Sequence, residues 1–307
     1  MIELFNIPNC KVDTSSFSHL LHGDIVKEFE QRFAEYVGAK YACTANSASS
    51  LLYLALKRFN NEVVSVPSTI PIVVPNVVVN SGNRIKFYHD ENWVGSCYHL
   101  HDDVFDSAQE VSYKQYENLK DDNAIMIFSF YPTKPISGCD GGMVVSNNKE
   151  KIDHFRLMTM NGTVFDEDSW KRKQIVAGYK MHCNSIQAHM ANENLKKINI
   201  KNRILDKISA AYHTGLGYNN KSRHLYRIKV KDNAEFIKNM AEKGIQCGIH
   251  YEHCHGKKAF KDYEIKDADL TKSERTSRTT ASIPFHEKLT FAQVEKVIYY
   301  GKKFRNI

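Results

Sequence analysis

The chain has 307 residues, enough to bury one large core or two ordinary ones, and its hydrophobic fraction of 42% and charged fraction of 25% exclude a disordered protein. Its 42 basic and 35 acidic residues give a net charge of +7 that is spread along the sequence. This mild excess indicates a solvated basic surface suited to an anionic small substrate. It does not form the basic stripe that is typical of nucleic-acid-binding proteins.

The cysteines indicate a reducing compartment. Their number is odd and they form no C-x-x-C pair; they are Cys10, Cys43, Cys97, Cys139, Cys183, Cys247 and Cys254. This pattern favours reduced thiols over a disulfide framework. Met1–Cys10 does not resemble a signal peptide, and the most apolar run, Ile70–Val79, is too short to span a bilayer. We therefore expect a cytoplasmic protein that does not enter a membrane.

The first half of the chain alternates predicted helices and strands. An amphipathic helix begins at Gly23-Asp24 and ends at Gly38, and a second, apolar helix covers Leu51–Leu56. The β-like runs are Tyr41–Thr44, Val63–Val66, Arg84–Tyr88, Cys97–Leu100, Val104–Phe105, Ala124–Phe130 and Gly142–Ser146. Such alternation predicts an α/β sheet of parallel strands.

The second half predicts a helix-rich connection followed by a smaller α/β unit. The expected elements are a helix at Lys149–Met160, a loop at Asn161–Lys173, a long helix from Asn184-Ser185 towards Tyr212, a strand at His224–Val230, a helix at Asn233–Lys243, a strand at Ile245–His250 and a final helix after the capping box Thr290–Gln293. We place the hinge within residues 185–215. The predicted domains are residues 1–190 and residues 191–307.

Lys134 follows the apolar run Ala124–Phe128 and stands among aromatic residues, before the glycine-bearing turn Ser137–Gly142. A lysine at a strand end can have its ammonium group desolvated, which lowers its pKa and yields a nucleophilic amine. Asp106 supplies a carboxylate after another short β-like run. Pyridoxal phosphate (PLP) needs such a pair, because the lysine binds its aldehyde and the carboxylate keeps its ring nitrogen protonated.

The small polar segment Asn46–Ser50 lies between a predicted strand and a predicted helix. Small residues let the backbone approach an anion, and the free N–H groups at the start of a helix point towards it. Ser47 and Ser49 would add hydroxyl donors. Capping of the helix by one serine explains the same residues, so an anion site and a plain cap both stay open.

Two histidine-bearing stretches contain the residue types that bind metals, Cys247–His255 and His99–Asp103. Neither has the paired spacing of a structural zinc site, and a β-strand would place alternate residues of the first stretch on opposite faces. We therefore predict no metal site.

In order along the chain, these motifs resemble the sugar-nucleotide aminotransferases of the DegT/DnrJ/StrS type, a family of PLP fold type I. The similar segments are Gly23–Glu30, Ser47-Ala48-Ser49, Asp106-Ser107-Ala108-Gln109, Ser129–Lys134, Gly141–Val145, Gly178–Ala188, His250-Tyr251 and Ile283–His286. The resemblance implies the aspartate-aminotransferase-like α/β fold, with a large, mostly parallel-sheet domain and a smaller C-terminal α/β domain.

The resemblance also implies roles for single residues. Lys134 would bind the PLP aldehyde, Asp106 the ring nitrogen, and Gln109 would lie near the ring hydroxyl. The residues at the cofactor phosphate would be Ser47, Ala48, Ser49 and Ser129. Lys180 would reach the cofactor of a neighbouring subunit, which implies a homodimer with shared active sites. His250 and Tyr251 would contact the substrate.

The chain also departs from the family pattern. It is short between Leu100 and Asp102, where a strand, a loop and a helix are missing before the aspartate motif. Pro71 stands near the position of an aromatic residue that commonly covers the cofactor ring. Ala48 replaces a glycine, and Lys180 replaces a common asparagine.

These observations predict a PLP-dependent aminotransferase that moves an amino group from an amino acid, L-glutamate, to a nucleotide-linked keto sugar. The sugar would be a 4-keto-6-deoxy or 3-keto hexose on the route to an amino sugar. Lys134 argues against the lysine-free sugar dehydratases of the same fold. The alternative is a PLP-fold protein with lost or altered catalysis that acts as a binding or regulatory module.

Overall fold

The computed structural model describes residues 1–8, 11–21, 23–165 and 171–306. The helices are α1 (Asp24–Val37), α2 (Ala48–Lys57), α3 (Val73–Asn80), α4 (Lys149–Thr159), α5 (Ser185–Leu195), α6 (Ile198–Leu216), α7 (Asn233–Glu242), α8 (Thr271–Arg278) and α9 (Phe291–Phe304). The strands are β1 (Tyr41–Ala45), β2 (Val63–Pro67), β3 (Arg84–Tyr88), β4 (Tyr98–His101), β5 (Val104–Asp106), β6 (Ile125–Ser129), β7 (Gly142–Ser146), β8 (Thr163–Phe165), β9 (Arg172–Gln174), β10 (Tyr226–Lys229), β11 (Glu264–Ile265) and β12 (Thr280–Ile283). Short 3-10 helices lie at Thr14–Ser16, Glu117–Leu119 and Lys258–Phe260.

The chain packs as two units, each built from separate stretches of sequence. Unit A consists of Pro8–Asn60 and Cys97–Lys196, and unit B of Met1–Ile7, Asn61–Ser96 and Lys197–Ile307. One of the boundaries between the units lies at residues 196/197, between α5 and α6. The single division at residues 190/191 stays a prediction about domains.

Unit A is built on a five-stranded sheet of order β1-β7-β6-β5-β4. Only β5 and β6 are parallel neighbours in this sheet, whereas β1–β7, β7–β6 and β4–β5 are antiparallel pairs. The prediction of parallel strands therefore fails for most of this sheet. β4 is antiparallel because only the two-residue turn Asp102-Asp103 joins it to β5, which is too short for a crossover.

The first helix of unit A, α1, buries an aromatic face against the sheet. α1 begins after Gly23 and ends at Gly38, whose φ of 79° is the left-handed conformation that glycine adopts without strain. Phe29 and Phe33 of α1 contact Phe130, with ring centroids 5.1 and 5.4 Å apart. All three rings are buried, so the spacing of four residues in α1 fixes which face meets the sheet.

Unit B contains a parallel sheet of order β11-β3-β2 and the antiparallel pair β10–β12. α6 packs on α9, and α7 packs on α9 and β12. Buried side chains from these elements form one hydrophobic cluster around Tyr212 and Tyr226, whose ring centroids are 4.9 Å apart. The Tyr212 hydroxyl donates a hydrogen bond to the Pro284 carbonyl at 2.8 Å, so its polar atom is satisfied inside the cluster.

Several predicted elements differ in the structure. The long helix after Asn184 is two helices, α5 and α6, and the predicted strand Ile245–His250 forms only isolated bridges at Ile245 and Gly248. Asn161–Lys173 was expected as a loop, but β8 lies within it and β9 overlaps its end; residues 166–170 lie outside the described residues.

The described cysteines are free thiols, as predicted, and Cys10 lies outside the described residues. In the part of the chain that the structure covers, no helix is both long and apolar enough to cross a membrane.

Candidate active site

Strand register in unit A brings predicted site residues to one edge of the sheet. β1, β5 and β6 run in the same direction, because β7 is antiparallel to both β1 and β6, and β6 is parallel to β5. Gly142, at the start of β7, pairs with both Ala45 and Ser129, so β1 and β6 end at the same level. Asp106 ends β5 opposite Ile127 of β6. The carboxyl ends of these strands form the edge where ligands commonly bind in α/β sheets.

Lys134 lies in the turn that leaves β6. Its backbone N–H donates a hydrogen bond to the Tyr131 carbonyl at 2.9 Å. The backbone N–H of Gly138 donates to the Phe130 carbonyl at 2.8 Å, and this second bond closes the loop. Within the described residues, its ammonium group has no hydrogen bond or ion pair. Burial lowers the pKa of Lys134 to about 8, although the negative charge of Asp106 acts to raise it. A fraction of the amine is therefore unprotonated near neutral pH.

Asp106 is a buried carboxylate with both oxygens hydrogen-bonded. The Tyr98 hydroxyl donates to Oδ2 and the Ala108 N–H donates to Oδ1, each at 2.8 Å. Burial raises the pKa of Asp106, and these two hydrogen bonds and the charge of Lys134 lower it. Lys134 and Asp106 therefore act on each other electrostatically, and their roles towards a cofactor stay predictions.

The N-terminus of α2 forms the third part of this edge. Ser47 is the N-cap, and its Oγ accepts the N–H of Ser50 at 3.2 Å, so the plain capping role is present. The first N–H groups of the helix, from Ala48 onwards, have no intrahelical partner and could bind an anion. A Cβ on Gly142 would lie 2.5 Å from the Ala48 nitrogen, so glycine is required for β7 to approach this helix end.

Gln109 and Ser129 lie in the same unit as this edge. Gln109 is buried three residues beyond Asp106. Ser129 ends β6 and is nearly buried, and its Oγ accepts the N–H of Tyr131 at 3.4 Å. These positions are compatible with the predicted contacts to the cofactor ring and phosphate, which stay predictions.

The other predicted residues are not brought to Lys134 by the described contacts. Lys180 is exposed and forms an isolated bridge with Met160. His250 and Tyr251 belong to unit B; His250 Nδ1 lies 2.9 Å from the Ser282 hydroxyl. The roles of all three residues stay predictions.

Sequence reasoning missed Tyr98. A β-like run followed by a two-residue turn and a second β-like run is the pattern of a hairpin, and it could have paired Tyr98 with Asp106. The pairing was not predicted because parallel strands were expected, and in a parallel pair Tyr98 would not lie opposite Asp106.

Unit A also contains a cavity of about 400 Å³ lined by Glu30, Cys43, Arg156 and His182, among others. Two of these lining residues are hydrogen-bonded, with Arg156 donating to Glu30 at 2.8 Å. Its lining includes neither Lys134 nor Asp106, so we do not assign it to the candidate site.

The sheet edge fits a PLP-like group by its donor set. It combines a lysine amine that is partly unprotonated, a carboxylate fixed by two hydrogen bonds, and the N-terminus of α2. The backbone of Gly142 lies so close to this helix end that no side chain would fit between them. These match, in turn, an aldehyde, a protonated ring nitrogen and a phosphate.

Comparison with known proteins decides the family. The sequence profile described as the DegT/DnrJ/EryC1/StrS aminotransferase family matches residues 11–88 and 105–300. The chain belongs to this family. The predictions of family, of fold type I and of an aminotransferase enzyme are confirmed. The residues between the matched parts, 89–104, contain β4 and Tyr98 but not Asp106.

Relatives and solved structures of the family cover nearly all of the chain. A UDP-4-amino-4,6-dideoxy-N-acetyl-beta-L-altrosamine transaminase of Campylobacter jejuni is 24% identical and aligns over 91% of this chain and 89% of its own length. Helicobacter pylori PseC, an aminotransferase involved in the biosynthesis of pseudoaminic acid, has a TM-score of 0.79 at 19% identity and covers 98% of this chain and 99% of its own. Spr1654 of Streptococcus pneumoniae, described as a sugar aminotransferase, gives a TM-score of 0.81 in its apo form at 18% identity, with 99% of this chain and 97% of its own covered, and has also been solved in PLP and PMP forms.

Proposed function

We propose that this protein is a PLP-dependent aminotransferase that transfers an amino group from L-glutamate to a nucleotide-linked keto sugar. The observation that carries the proposal is the pairing of Lys134 with Asp106 at the sheet edge. The amine has a pKa lowered to about 8, and the carboxylate is buried with both oxygens hydrogen-bonded. Membership of the DegT/DnrJ/EryC1/StrS aminotransferase family supports the same reaction.

In the proposed reaction, residues of unit A would each have a separate role towards the cofactor. When bound, PLP supplies an electron sink that allows an amino acid to lose its α-proton. Lys134 Nζ would hold the cofactor through its aldehyde carbon and, once released by the donor amine, would take that proton and return it. Asp106 would hold the proton on the ring nitrogen, which its charge stabilises. Gln109 would lie near the ring hydroxyl.

The phosphate would lie at the N-terminus of α2. The backbone N–H groups of Ala48 and Ser49 and the positive end of the helix dipole favour an anion there. The Ser49 and Ser129 hydroxyls would complete the contacts. Ser47 already caps the helix, and its Oγ can also receive or donate a bond to the phosphate.

The activity of a relative supports the substrate class. The Campylobacter jejuni relative is a transaminase of a UDP-linked 4-amino-4,6-dideoxy sugar, which supports a 4-keto-6-deoxy hexose over a 3-keto hexose. A net charge of +7 suits a nucleotide diphosphate. His250 and Tyr251 would contact this substrate.

We also propose a homodimer in which Lys180 serves the partner's site. Lys180 is exposed and makes no described contact with Lys134. In a dimer, its ammonium group would therefore be available to bind an anion in the partner subunit's site. A cytoplasmic location stays part of the proposal, supported by the free thiols.

Single-turnover spectroscopy with L-glutamate tests the proposal. Adding L-glutamate to the PLP-loaded protein should remove the visible absorbance of the bound cofactor and release 2-oxoglutarate, and a nucleotide keto sugar should restore the band. The binding or regulatory alternative is kept because residues 89–104 depart from the family profile. It predicts PLP binding with no response to any amino donor.

A further inference from the structure

The β4–β5 hairpin brings a tyrosine hydroxyl to the cofactor aspartate of unit A. Tyr98 lies directly opposite Asp106 in the antiparallel ladder. Its Oη donates to Oδ2 at 2.8 Å, while Oδ1 is occupied by the Ala108 N–H. Asp106 is 3% exposed, so water does not replace either donor.

The hairpin that carries Tyr98 is fixed at both ends. At its turn, the Asp103 carboxylate accepts from Arg58 at 3.1 Å and from the Lys151 ammonium. At the sheet, β5 pairs with β6 over Val104–Asp106. The position of the hydroxyl is therefore set by packing and not by a mobile loop.

Tyr98 lies in residues 89–104, the internal segment that the family profile does not match. The chain therefore supplies a donor to Asp106 from residues 97–104, a part of unit A that the family profile does not match.

We propose that Tyr98 is a positioning residue that holds Asp106 ionised and correctly oriented towards the cofactor ring nitrogen; this inference rests on the proposed function. A carboxylate oxygen can accept more than one hydrogen bond, so Oδ2 can keep Tyr98 while it faces a ring N–H. Without the hydroxyl, burial would favour the neutral acid, which cannot stabilise a protonated ring.

Tyr98→Phe tests this role by spectroscopy and binding. We expect the dissociation constant for PLP to rise about tenfold, which corresponds to about 1.4 kcal/mol. The acid limb of the pH profile of the bound cofactor's absorbance should move to higher pH, because the pKa of Asp106 rises. The matched control is Tyr218→Phe, whose hydroxyl donates to the Lys229 carbonyl at 3.0 Å in unit B, and it should leave both quantities unchanged.

The outcomes separate the two proposals. If wild type binds PLP at Lys134 and Tyr98→Phe has the same affinity and the same pH profile, the inference about Tyr98 is wrong and the proposed function stands. If wild type does not bind PLP at Lys134, the proposed function fails, and the role of Tyr98 fails with it.

Unit B carries an independent candidate, a cluster of metal-ligand side chains. His253 and His255 extend from one segment and Glu274 from the first turn of α8, with one ligand atom of each within 4.8 Å of the others. Cys254, between the histidines, is buried and donates to the Ile70 carbonyl at 3.3 Å. Successive side chains of this segment alternate in direction, so the Cys254 thiol points away from the cluster. Two imidazoles and one carboxylate are left as the possible ligands.

The surroundings orient these ligands. His255 Nδ1 is 2.5 Å from the buried Ser68 hydroxyl, which leaves Nε2 towards Glu274 at 3.4 Å. The backbone N–H of His253 donates a hydrogen bond to the Ser277 hydroxyl at 3.2 Å, and this bond connects the segment to α8. His253 Nδ1 is buried without a hydrogen-bond partner among the described residues, although buried imidazole nitrogens are normally satisfied.

Contrary to the expectation from sequence spacing, which could not foresee a ligand from α8, we infer that His253, His255 and Glu274 bind a zinc-class divalent cation. Two imidazoles and one carboxylate are a ligand set that Zn²⁺ accepts, with water in the fourth position, and not one that Mg²⁺ or Ca²⁺ prefers. Zn²⁺ binds nitrogen at about 2.0–2.1 Å, so the ligands must draw together slightly. Glu274 can supply this movement because its side chain is 47% exposed.

Zn²⁺ alone is the probe, with tag-free full-length protein and titration calorimetry supported by elemental analysis. We expect one Zn²⁺ per chain and a loss of affinity on the order of 10–100-fold in Glu274→Gln and in His253→Gln. Glu235→Gln is the matched control, since Glu235 also lies in the first turn of a helix. Binding should weaken as the pH falls, because protons compete for the imidazoles.

Saturable binding that both variants weaken and the control preserves supports the site. No saturable binding, or binding that both variants leave unchanged, would overturn it. Ser68, His255 and Glu274 would then form only a hydrogen-bonded chain.

Discussion

At the scale of single residues, the candidate site depends on two buried groups whose preferences oppose each other. Burial favours the neutral amine of Lys134 and the neutral acid of Asp106, and the charge of each group favours the charged form of the other. The hydrogen bonds from Tyr98 and the Ala108 N–H favour the carboxylate and oppose burial, which has the larger effect on the pKa of Asp106 and raises it. The pair is therefore suited to hold one nucleophilic amine and one anion at the same pH.

The first prediction concerns pH and Lys134. Only the unprotonated amine reacts with an aldehyde, and the pKa of Lys134 is lowered to about 8. The rate at which cofactor-free protein takes up PLP should therefore fall about tenfold for each pH unit below 8 and level off above it. Stopped-flow absorbance measures this rate. A rate that keeps rising to about pH 10, as an ordinary lysine would give, contradicts the prediction.

The second prediction concerns Asp106→Asn. The amide retains the shape of the side chain but cannot stabilise a protonated ring nitrogen. A hydrogen bond to a charged group is worth about 1.5–3 kcal/mol, so kcat should fall at least about tenfold to a hundredfold, with bound PLP still present. Steady-state kinetics and cofactor absorbance measure the two effects. Asp262→Asn, at an exposed position, should match wild type, and an Asp106→Asn enzyme with normal kcat would remove this residue from the site.

At the scale of elements, the sequence predicts the ends of helices correctly where capping residues mark them. α1 lies where Gly23 and Gly38 predict it, and the Asn184 capping box begins α5. The break at Lys196-Lys197 was missed because neither residue is a helix breaker and the helical pattern continues into α6. α3 was missed because valines and prolines read as a non-helical run, although Pro75 lies in the first turn, where its missing N–H costs little.

Strand direction needed information that is not local. Val104–Asp106 and Cys97–Leu100 both read as strands, but their periodicity does not distinguish a crossover from a hairpin. The sequence therefore indicates that Asp106 lies at the end of one strand and that Lys134 follows another, but it does not indicate the partner Tyr98. Contacts between distant segments, such as Gly142 against Ala48, could not be predicted for the same reason.

The third prediction tests the contact between β7 and α2. In Gly142→Ala, the new Cβ would lie 2.5 Å from the Ala48 nitrogen, so the helix end must shift. We expect a loss of about 1–3 kcal/mol in the free energy of unfolding and weaker PLP binding, since the phosphate would bind at this helix end. Denaturant unfolding and PLP titration measure both. Gly301→Ala in α9 is the control, because its Cβ would meet only the end of Leu216 at 3.3 Å; equal behaviour of the two variants would contradict the prediction.

At the scale of the whole molecule, family and fold are established over nearly the full chain, whereas the proposals about substrate and subunit sharing rest on residues outside the central site. The family profile covers both Lys134 and Asp106 and leaves out residues 89–104. Lys180, His250 and Tyr251 carry the proposals on subunit sharing and substrate. These residues are therefore the ones that experiments on the assembled protein should address.

The fourth prediction concerns the dimer. Lys134→Ala and Lys180→Ala should each be inactive, but mixing and re-pairing the two variants should restore about a quarter of wild-type activity, because half of the dimers are hybrids with one intact site. Activity before and after re-pairing measures this. If Lys180 serves its own subunit's site, no hybrid site is intact and the mixture stays inactive.

The central claim is that Lys134 is the residue that binds the cofactor. Borohydride reduction of the PLP-loaded protein, followed by peptide mass spectrometry, tests it most directly. We predict that the pyridoxyl modification is found on the peptide that contains Lys134 and disappears in Lys134→Ala. A modification found on another lysine, or none in wild type, would contradict the account.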